Sequence, residues 1–222
     1  METMEILRNF AVFEGGDGSG TSTQIAFLER RFAGNGPQSP VFYPTFEPTG
    51  GPAGRLIRSA LKREISLLPA TLARLFAADR NEHVYSADGI AEHCRRGELV
   101  VSDRYTLSSL VYQGIECGDS LPRALNSSFP VPELLIFFDI DPETAAKRLQ
   151  NRPSLEIYEY LEFQYKVREK YRSLADECQK SGVRVETIDA AKPPEEVAED
   201  VWSALRKMPI FEAESGEQAS LL

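Results

Sequence analysis

An apolar stretch, Asn9-Phe10-Ala11-Val12-Phe13-Glu14, runs straight into Gly15-Gly16-Asp17-Gly18-Ser19-Gly20-Thr21-Ser22-Thr23-Gln24, after which helical periodicity begins. No other segment restricts the fold as much. A run that is apolar at nearly every position belongs to a strand buried on both faces, and a strand followed at once by a helix belongs to a parallel sheet. The spacing G-x-x-x-x-G, here Gly15 to Gly20, lets backbone N–H groups turn inward and cradle phosphate oxygens at a helix N-terminus, where the dipole adds to the attraction. Ser22 then stands where a hydroxyl meets a magnesium ion. The pattern also asks for a lysine before that hydroxyl, and this chain has Thr21. One charge-assisted contact to a transferring phosphoryl group is therefore missing from its expected place.

The same alternation continues along the chain. Strands are predicted at Asn9–Glu14, Pro40–Tyr43, Leu99–Asp103, Leu134–Asp139 and Val183–Asp189. Between them lie helical segments at Ser22–Phe32, Pro52–Arg63, a long one at Ala70–Arg96, Pro142–Asn151, Leu155–Gln179 and Glu195–Met208. This order predicts an α/β protein: a three-layer α/β/α sandwich around a five-stranded parallel sheet, one domain over residues 1–208. Gly118–Pro132, with three prolines, reads as a connection holding a turn or two of helix. Pro209–Leu222 has no periodic pattern and is expected to be a disordered tail.

Composition narrows the partners. With 222 residues and 42% apolar content, the chain can bury a core without disulfides. Its 34 acidic side chains outnumber 25 basic ones, a net charge of -9 that opposes binding to a nucleic acid polymer. A nucleotide partner should be small and held in a local basic pocket. Cys94, Cys117 and Cys178 are odd in number and far apart, which fits neither a disulfide framework nor a zinc pattern. Both histidines, His83 and His93, fall in one helical stretch, so no histidine metal site is expected. No run approaches the ~18 apolar residues of a membrane span, and Met1–Arg8 carries two acids and no signal-length apolar run. A cytoplasmic protein with no membrane contact is expected.

Four further strings follow in order: Glu47-Pro48-Thr49-Gly50-Gly51-Pro52-Ala53-Gly54, closed by Ile57-Arg58; Leu75-Phe76-Ala77-Ala78-Asp79-Arg80; Asp103-Arg104-Tyr105, followed by Ser108-Ser109 and Tyr112-Gln113-Gly114; and Ile188-Asp189-Ala190-Ala191-Lys192. Phe76 and Arg80, one helical turn apart, share a face on which a ring can stack on a pyrimidine and a guanidinium can donate to a base carbonyl. Taken singly, Phe76 reads more often as core and Arg80 as a surface ion-pair partner. Arg104 ends a strand, where open α/β sheets bind ligands, and its planar fork suits a phosphate clamp or a bridge to an acid.

Together with Phe-Glu-Gly-x-Asp-Gly-x-Gly at the first loop, this set resembles the thymidylate kinase family, in order and spacing, from about Asn9 to Leu205. The resemblance implies a nucleoside monophosphate kinase fold, ATP and dTMP as small-molecule substrates, Mg2+ as cofactor and a homodimer. It implies that Gly15, Gly16, Asp17, Gly18, Ser19, Gly20, Thr21, Ser22 and Thr23 hold the donor phosphates. Arg148 would lie against the adenine, or stand as a solvated helix charge, and Asp189–Lys192 would border that ring through the backbone. It further implies a dTMP site of Asp17, Glu47, Pro48, Phe76, Arg80, Arg104, Ser109, Tyr112 and Gln113. There Asp17 would hold the sugar 3′-hydroxyl, Tyr112 would exclude a 2′-hydroxyl, and Ser109 and Gln113 would face the base. Ser22 and Asp103 would serve the metal, and Arg104, Asp103 and Arg152 would be catalytic.

The chain departs from the family at several points. Members with Gly at the position of Gly18 usually carry lid arginines, whereas the lid here, about 151–158, is short and keeps only Arg152. Phe46 replaces the Arg that commonly precedes Glu-Pro, and Arg55 stands where Glu is common. Single positioned cations in phosphoryl transfer are worth up to ~10³-fold or more, so the two losses need compensation, for which Arg152 with Arg148 are the candidates. Three readings follow: an active dTMP kinase, a nucleotide-binding protein that keeps the dTMP pocket without efficient turnover, and a kinase of altered acceptor. Phe76, Arg80, Arg104 and Tyr112 oppose the third.

Overall fold

The computed structural model describes residues 5–34, 39–149 and 157–212, with side chains of 157–160 left aside. Its strands are β1 (Ile6–Gly15), β2 (Phe42–Phe46), β3 (Leu99–Asp103), β4 (Val131–Asp139) and β5 (Arg184–Asp189). They form one sheet in the order β2-β3-β1-β4-β5, and every pair is parallel. The helices are α1 (Thr21–Ala33), α2 (Pro52–Leu61), α3 (Pro69–Tyr85), α4 (Ile90–Arg95), α5 (Thr106–Cys117), α6 (Ser120–Asn126), α7 (Pro142–Leu149), α8 (Ile157–Lys180) and α9 (Pro194–Leu205). The predicted three-layer α/β/α architecture is thus present.

The strand period of two explains the layers. On β1, Ala11 and Phe13 face one core with Leu28 of α1 and Val197 and Val201 of α9. Phe10 and Val12 face the other side, toward Val84 of α3 and Ile90 of α4. On β4, Leu135 and Phe137 meet Val111 of α5 and Val167 and Tyr171 of α8. Both faces are covered, which is why the strands read as nearly continuous apolar runs.

Several elements differ from the sequence reading. The long helix expected over Ala70–Arg96 is two helices, because the chain turns at Ser86–Gly89. A Cβ on Gly89 would lie 2.7 Å from the Val84 carbonyl and 2.8 Å from that of His83, so only glycine allows this close return. β2 begins at Phe42 and continues through Pro44, which an edge strand tolerates because one side needs no ladder donor. The motif residues after Asp103 form the full helix α5, which periodicity had not separated from its surroundings. The expected tail also starts later than Pro209: residues 209–212 are helical, and Ile210 and Phe211 pack on the core, with Phe211 5.5 Å from Trp202. Aromatic burial holds what polar composition suggested was loose. Residues 213–222 lie outside the described residues.

Register aligns the strand ends. Phe13 pairs with Asp103, Phe46 with Asp103, Gly15 with Phe138, and Asp139 with Asp189. The carboxyl edge of the sheet therefore carries the glycine loop, Asp103, Glu47 and the Asp189 segment side by side, where open α/β sheets bind ligands.

Candidate active site

The loop after β1 is shaped by its glycines. Gly18 and Gly20 have φ of 81° and 92°, in the left-handed region, and Ser19 N donates to the Gly16 carbonyl at 3.2 Å. A Cβ on Gly18 would lie 2.8 Å from the Ala145 carbonyl of α7. Gly20 caps α1, so the loop amides and the helix dipole converge on the space above the loop. Thr21, in the lysine position, is buried in the first turn of α1. Ser22 Oγ donates to Asp103 Oδ2 at 2.6 Å, while Asp103 Oδ1 is buried without a hydrogen-bond partner. A hydroxyl at a helix N-terminus beside an unsatisfied carboxylate oxygen is a hard-oxygen donor set, and it fits Mg2+ held jointly with a phosphate. Among the described residues there is no group of three or more His, Cys, Asp and Glu that could hold a metal by itself.

On one side of the loop lies a cavity of ≈ 210 Å³ between α2, α3 and α5. Asp17, Glu47, Pro48, Phe76, Arg80, Arg104, Ser109, Tyr112 and Gln113 all line it. Sequence reasoning thus named residues that the fold brings together from four separate strings. Leu61, Leu72 and Glu116 also line it and had not been singled out: Leu72 and Glu116 had only their helical spacing from Phe76 and Tyr112 as a signal, and Leu61, at the end of α2, had none.

Arg80 is an ion-pair partner, but a buried one and not the surface one its residue type suggests, and it also lines the cavity. Its side chain is 1% exposed and paired with Glu47, with Nη2 at 2.6 Å and Nε at 3.0 Å from Oε2. Nη2 also donates to the Tyr105 carbonyl at 2.9 Å and Ser109 Oγ at 3.1 Å, and Nη1 donates to Asn126 Oδ1. The other Glu47 oxygen meets His83 Nδ1 at 3.0 Å, and His83 Nε2 meets Thr45 Oγ1 at 2.6 Å. Asp79 accepts from Thr49 N at 2.7 Å and Thr49 Oγ1 at 2.6 Å, while Arg58 donates to the Pro48 and Thr49 carbonyls. A buried ion pair with both carboxylate oxygens engaged is rigid, so the cavity wall around Glu47-Pro48-Thr49, whose first bond is cis, is held from behind. His83 and Asn126 were missed because nothing in a helical stretch marks which polar side chain turns inward.

Arg104 has a left-handed φ of 70°. Its N–H donates to the Phe13 carbonyl at 2.9 Å and its carbonyl accepts from Ser102 Oγ at 2.7 Å, which fixes this conformation. Nη1 donates to the Gly15 carbonyl at 3.0 Å, and Nη2 to Asp17 Oδ1 at 2.9 Å. The guanidinium lies 5.4 Å from the centroid of the Tyr112 ring. Burial alone would lower its pKa, but Tyr112, Tyr171, Asp17 and Asp103 outweigh it and hold Arg104 charged.

On the other side of the loop is a cavity of ≈ 240 Å³ lined by Gly18, Ser19, Gly20, Thr23, Gln24, Arg148, Ala190, Lys192, Pro194 and Val197. Arg148 Nη2 donates to the Ala191 carbonyl at 3.4 Å, and Lys192 Nζ pairs with Asp200 at 2.7 Å. The fold therefore joins Arg148, an exposed side chain, to the Asp189–Lys192 segment. Arg152 and residues 151–156 of the expected lid lie outside the described residues. Behind the loop, Arg168 and Arg172 of α8 converge on Asp139 at 2.7 Å and 2.6 Å, a pair that sequence reasoning did not mark.

The arrangement offers two pockets that share one glycine loop, one bordered by cations and the other by a base-sized apolar wall with a charged floor. A family model described as thymidylate kinase matches residues 13–201. A putative thymidylate kinase of Treponema pallidum is 42% identical over 92% of this chain and 98% of its own length. A probable thymidylate kinase of Pyrobaculum aerophilum is 42% identical over 91% of this chain and 98% of its own length, and one of Methanococcus vannielii is 36% identical over 86% and 92%. With this site and these relatives, the chain belongs to the thymidylate kinase family.

Proposed function

We propose that the protein transfers the γ-phosphoryl group of ATP to dTMP, giving ADP and dTDP. The observation that carries this reading is the cavity beside the glycine loop that brings Phe76, Arg80, Arg104, Tyr112 and Gln113 together. A pyrimidine would stack on Phe76 and meet the polar edge of Ser109 and Gln113, whose Oε1 is buried without a partner and suits a ring N–H. Arg104 Nη2 would exchange Asp17 for the acceptor phosphate, which leaves Asp17 to accept from the sugar 3′-hydroxyl. The acceptor phosphate is already nucleophilic at neutral pH. Its oxygen forms the new bond to the γ-phosphorus as the bond to the ADP oxygen breaks, so the protein's task is positioning and charge neutralisation. Ser22 and Asp103 would hold Mg2+, which when bound neutralises charge on the β- and γ-phosphoryl oxygens.

Arg148, at the rim of the donor cavity, with Arg152 is proposed to supply the charge that Thr21 lacks. The reading extends to a cytoplasmic homodimer, as the resemblance implies. Among the described residues no helix is long and apolar enough to cross a membrane. A coupled assay of ADP release with ATP, Mg2+ and dTMP tests the activity. Turnover is expected, with Arg148→Ala and Arg152→Ala each lowering kcat by about tenfold or more. Binding of dTMP without ADP release, with turnover restored in Thr21→Lys, would overturn it in favour of a nucleotide-binding protein.

A further inference from the structure

Glu14 is fully buried and touches neither cavity, yet it lies behind Arg104. Its Oε1 accepts from the backbone N–H of Tyr105 at 2.9 Å and of Ser108 at 3.1 Å. Its Oε2 accepts from Ser108 Oγ at 2.6 Å and from Tyr171 OH at 3.2 Å. An ionised carboxylate has about four lone-pair sites, and these contacts fill them. The same two hydroxyls face Arg104, whose Nη1 lies 3.3 Å from Ser108 Oγ and 3.3 Å from Tyr171 OH. Each hydroxyl has one proton. Ser108 Oγ and Tyr171 OH also lie 2.8 Å apart, so with the Ser108 proton given to Glu14 the Tyr171 proton goes to Glu14 or to Ser108. Neither proton then points at the guanidinium, and both oxygens turn lone pairs to Arg104.

We infer that Glu14 is a positioning residue for Arg104, orienting Ser108 and Tyr171 so that they and the Gly15 carbonyl hold the inner edge of the guanidinium and only its outer edge, Nη2, faces the nucleotide. This rests on the reading of Arg104 as the ligand of the acceptor phosphate. The placement supports it on two counts. Glu14 is the penultimate residue of β1, followed by Gly15, whose carbonyl takes the same Nη1 at 3.0 Å, so carboxylate and arginine are referred to one rigid strand. Ser108 and Tyr105 belong to the start of α5, directly after Arg104, where the helix dipole favours an anion. Without Glu14 the guanidinium would keep its charge but lose the fixed orientation of its partners. The device therefore serves the acceptor and not the donor.

The test measures dTMP and ATP separately in Tyr171→Phe and Glu14→Gln, each also combined with Arg104→Ala. Tyr171→Phe removes one hydroxyl and leaves the ring on Phe137, 5.5 Å away, so it retains the packing if Glu14→Gln does not fold. Each single variant is expected to raise the Kd and KM for dTMP by about tenfold, the scale of one charge-assisted hydrogen bond, with KM for ATP changed less than about threefold. In the Arg104→Ala background neither change should weaken dTMP further, since both act through that arginine. Equal shifts for ATP and dTMP, or full additivity with Arg104→Ala, would overturn the inference. If Arg104→Ala alone leaves dTMP affinity intact, the underlying reading of Arg104 fails instead, and the two failures are distinguishable.

Discussion

Arg80 illustrates how a single residue serves wall and scaffold together. Its guanidinium is spent on Glu47, Asn126, Ser109 and the Tyr105 carbonyl, all buried, so removing it leaves the Glu47 carboxylate with His83 as its remaining side-chain partner. An uncompensated buried charge of this kind costs about 3–5 kcal/mol. Arg80→Met, similar in length and uncharged, should lower the unfolding free energy from urea titration by that amount and also weaken dTMP binding. Unchanged stability with weakened binding would mean that Glu47 finds another partner. The pairing of Phe76 with Arg80 was legible from helical spacing. The Arg80 partners were not, because Asn126 is far along the chain and becomes a neighbour only when α6 packs beside α3.

At the scale of elements, the loop and α7 act as one unit. Gly18 is held in the left-handed region with the Ala145 carbonyl 2.8 Å from where a Cβ would be, whereas a Cβ on Gly20 would meet nothing within 4 Å. Gly18→Ala should therefore carry both left-handed strain, about 1–2 kcal/mol, and displacement of the loop from α7, while Gly20→Ala carries the strain alone. Thermal unfolding should rank Gly18→Ala below Gly20→Ala, and KM for ATP should rise more in the former with dTMP affinity retained. An equal effect would show that α7 does not constrain the loop. The break between α3 and α4 follows the same logic in reverse: Gly89 lies within the segment expected as one helix, and a close approach to the carbonyls of His83 and Val84 marks the turn between the two.

The whole molecule is tied together where α8 crosses the carboxyl end of β4. Arg168 and Arg172 both pair with Asp139, whose side chain is 16% exposed. Burial pushes the Asp139 carboxyl up, and the two arginines outweigh it and hold it below its ordinary value of 3.8. A lowered folded value means that the stabilisation is present above the unfolded value and is lost as pH falls through the folded one. Asp139→Asn should be less stable than the wild type at neutral pH, with the difference shrinking as pH drops below 3.8, as followed by denaturant unfolding at several pH values. A constant difference across that range would mean that the arginines stabilise the site by packing alone. By itself the sequence determined the parallel α/β fold and the glycine loop, because strand burial and glycine spacing are local properties of the chain, whereas the nine residues expected around the cavity beside that loop followed from motifs that resemble the family. Only the tertiary structure decided that Glu14 lies behind Arg104, that Ser22 meets Asp103 and that Arg80 is a buried ion pair. Those contacts join residues 33 to 94 positions apart, and charge and hydrogen bonding act through space, not along the sequence.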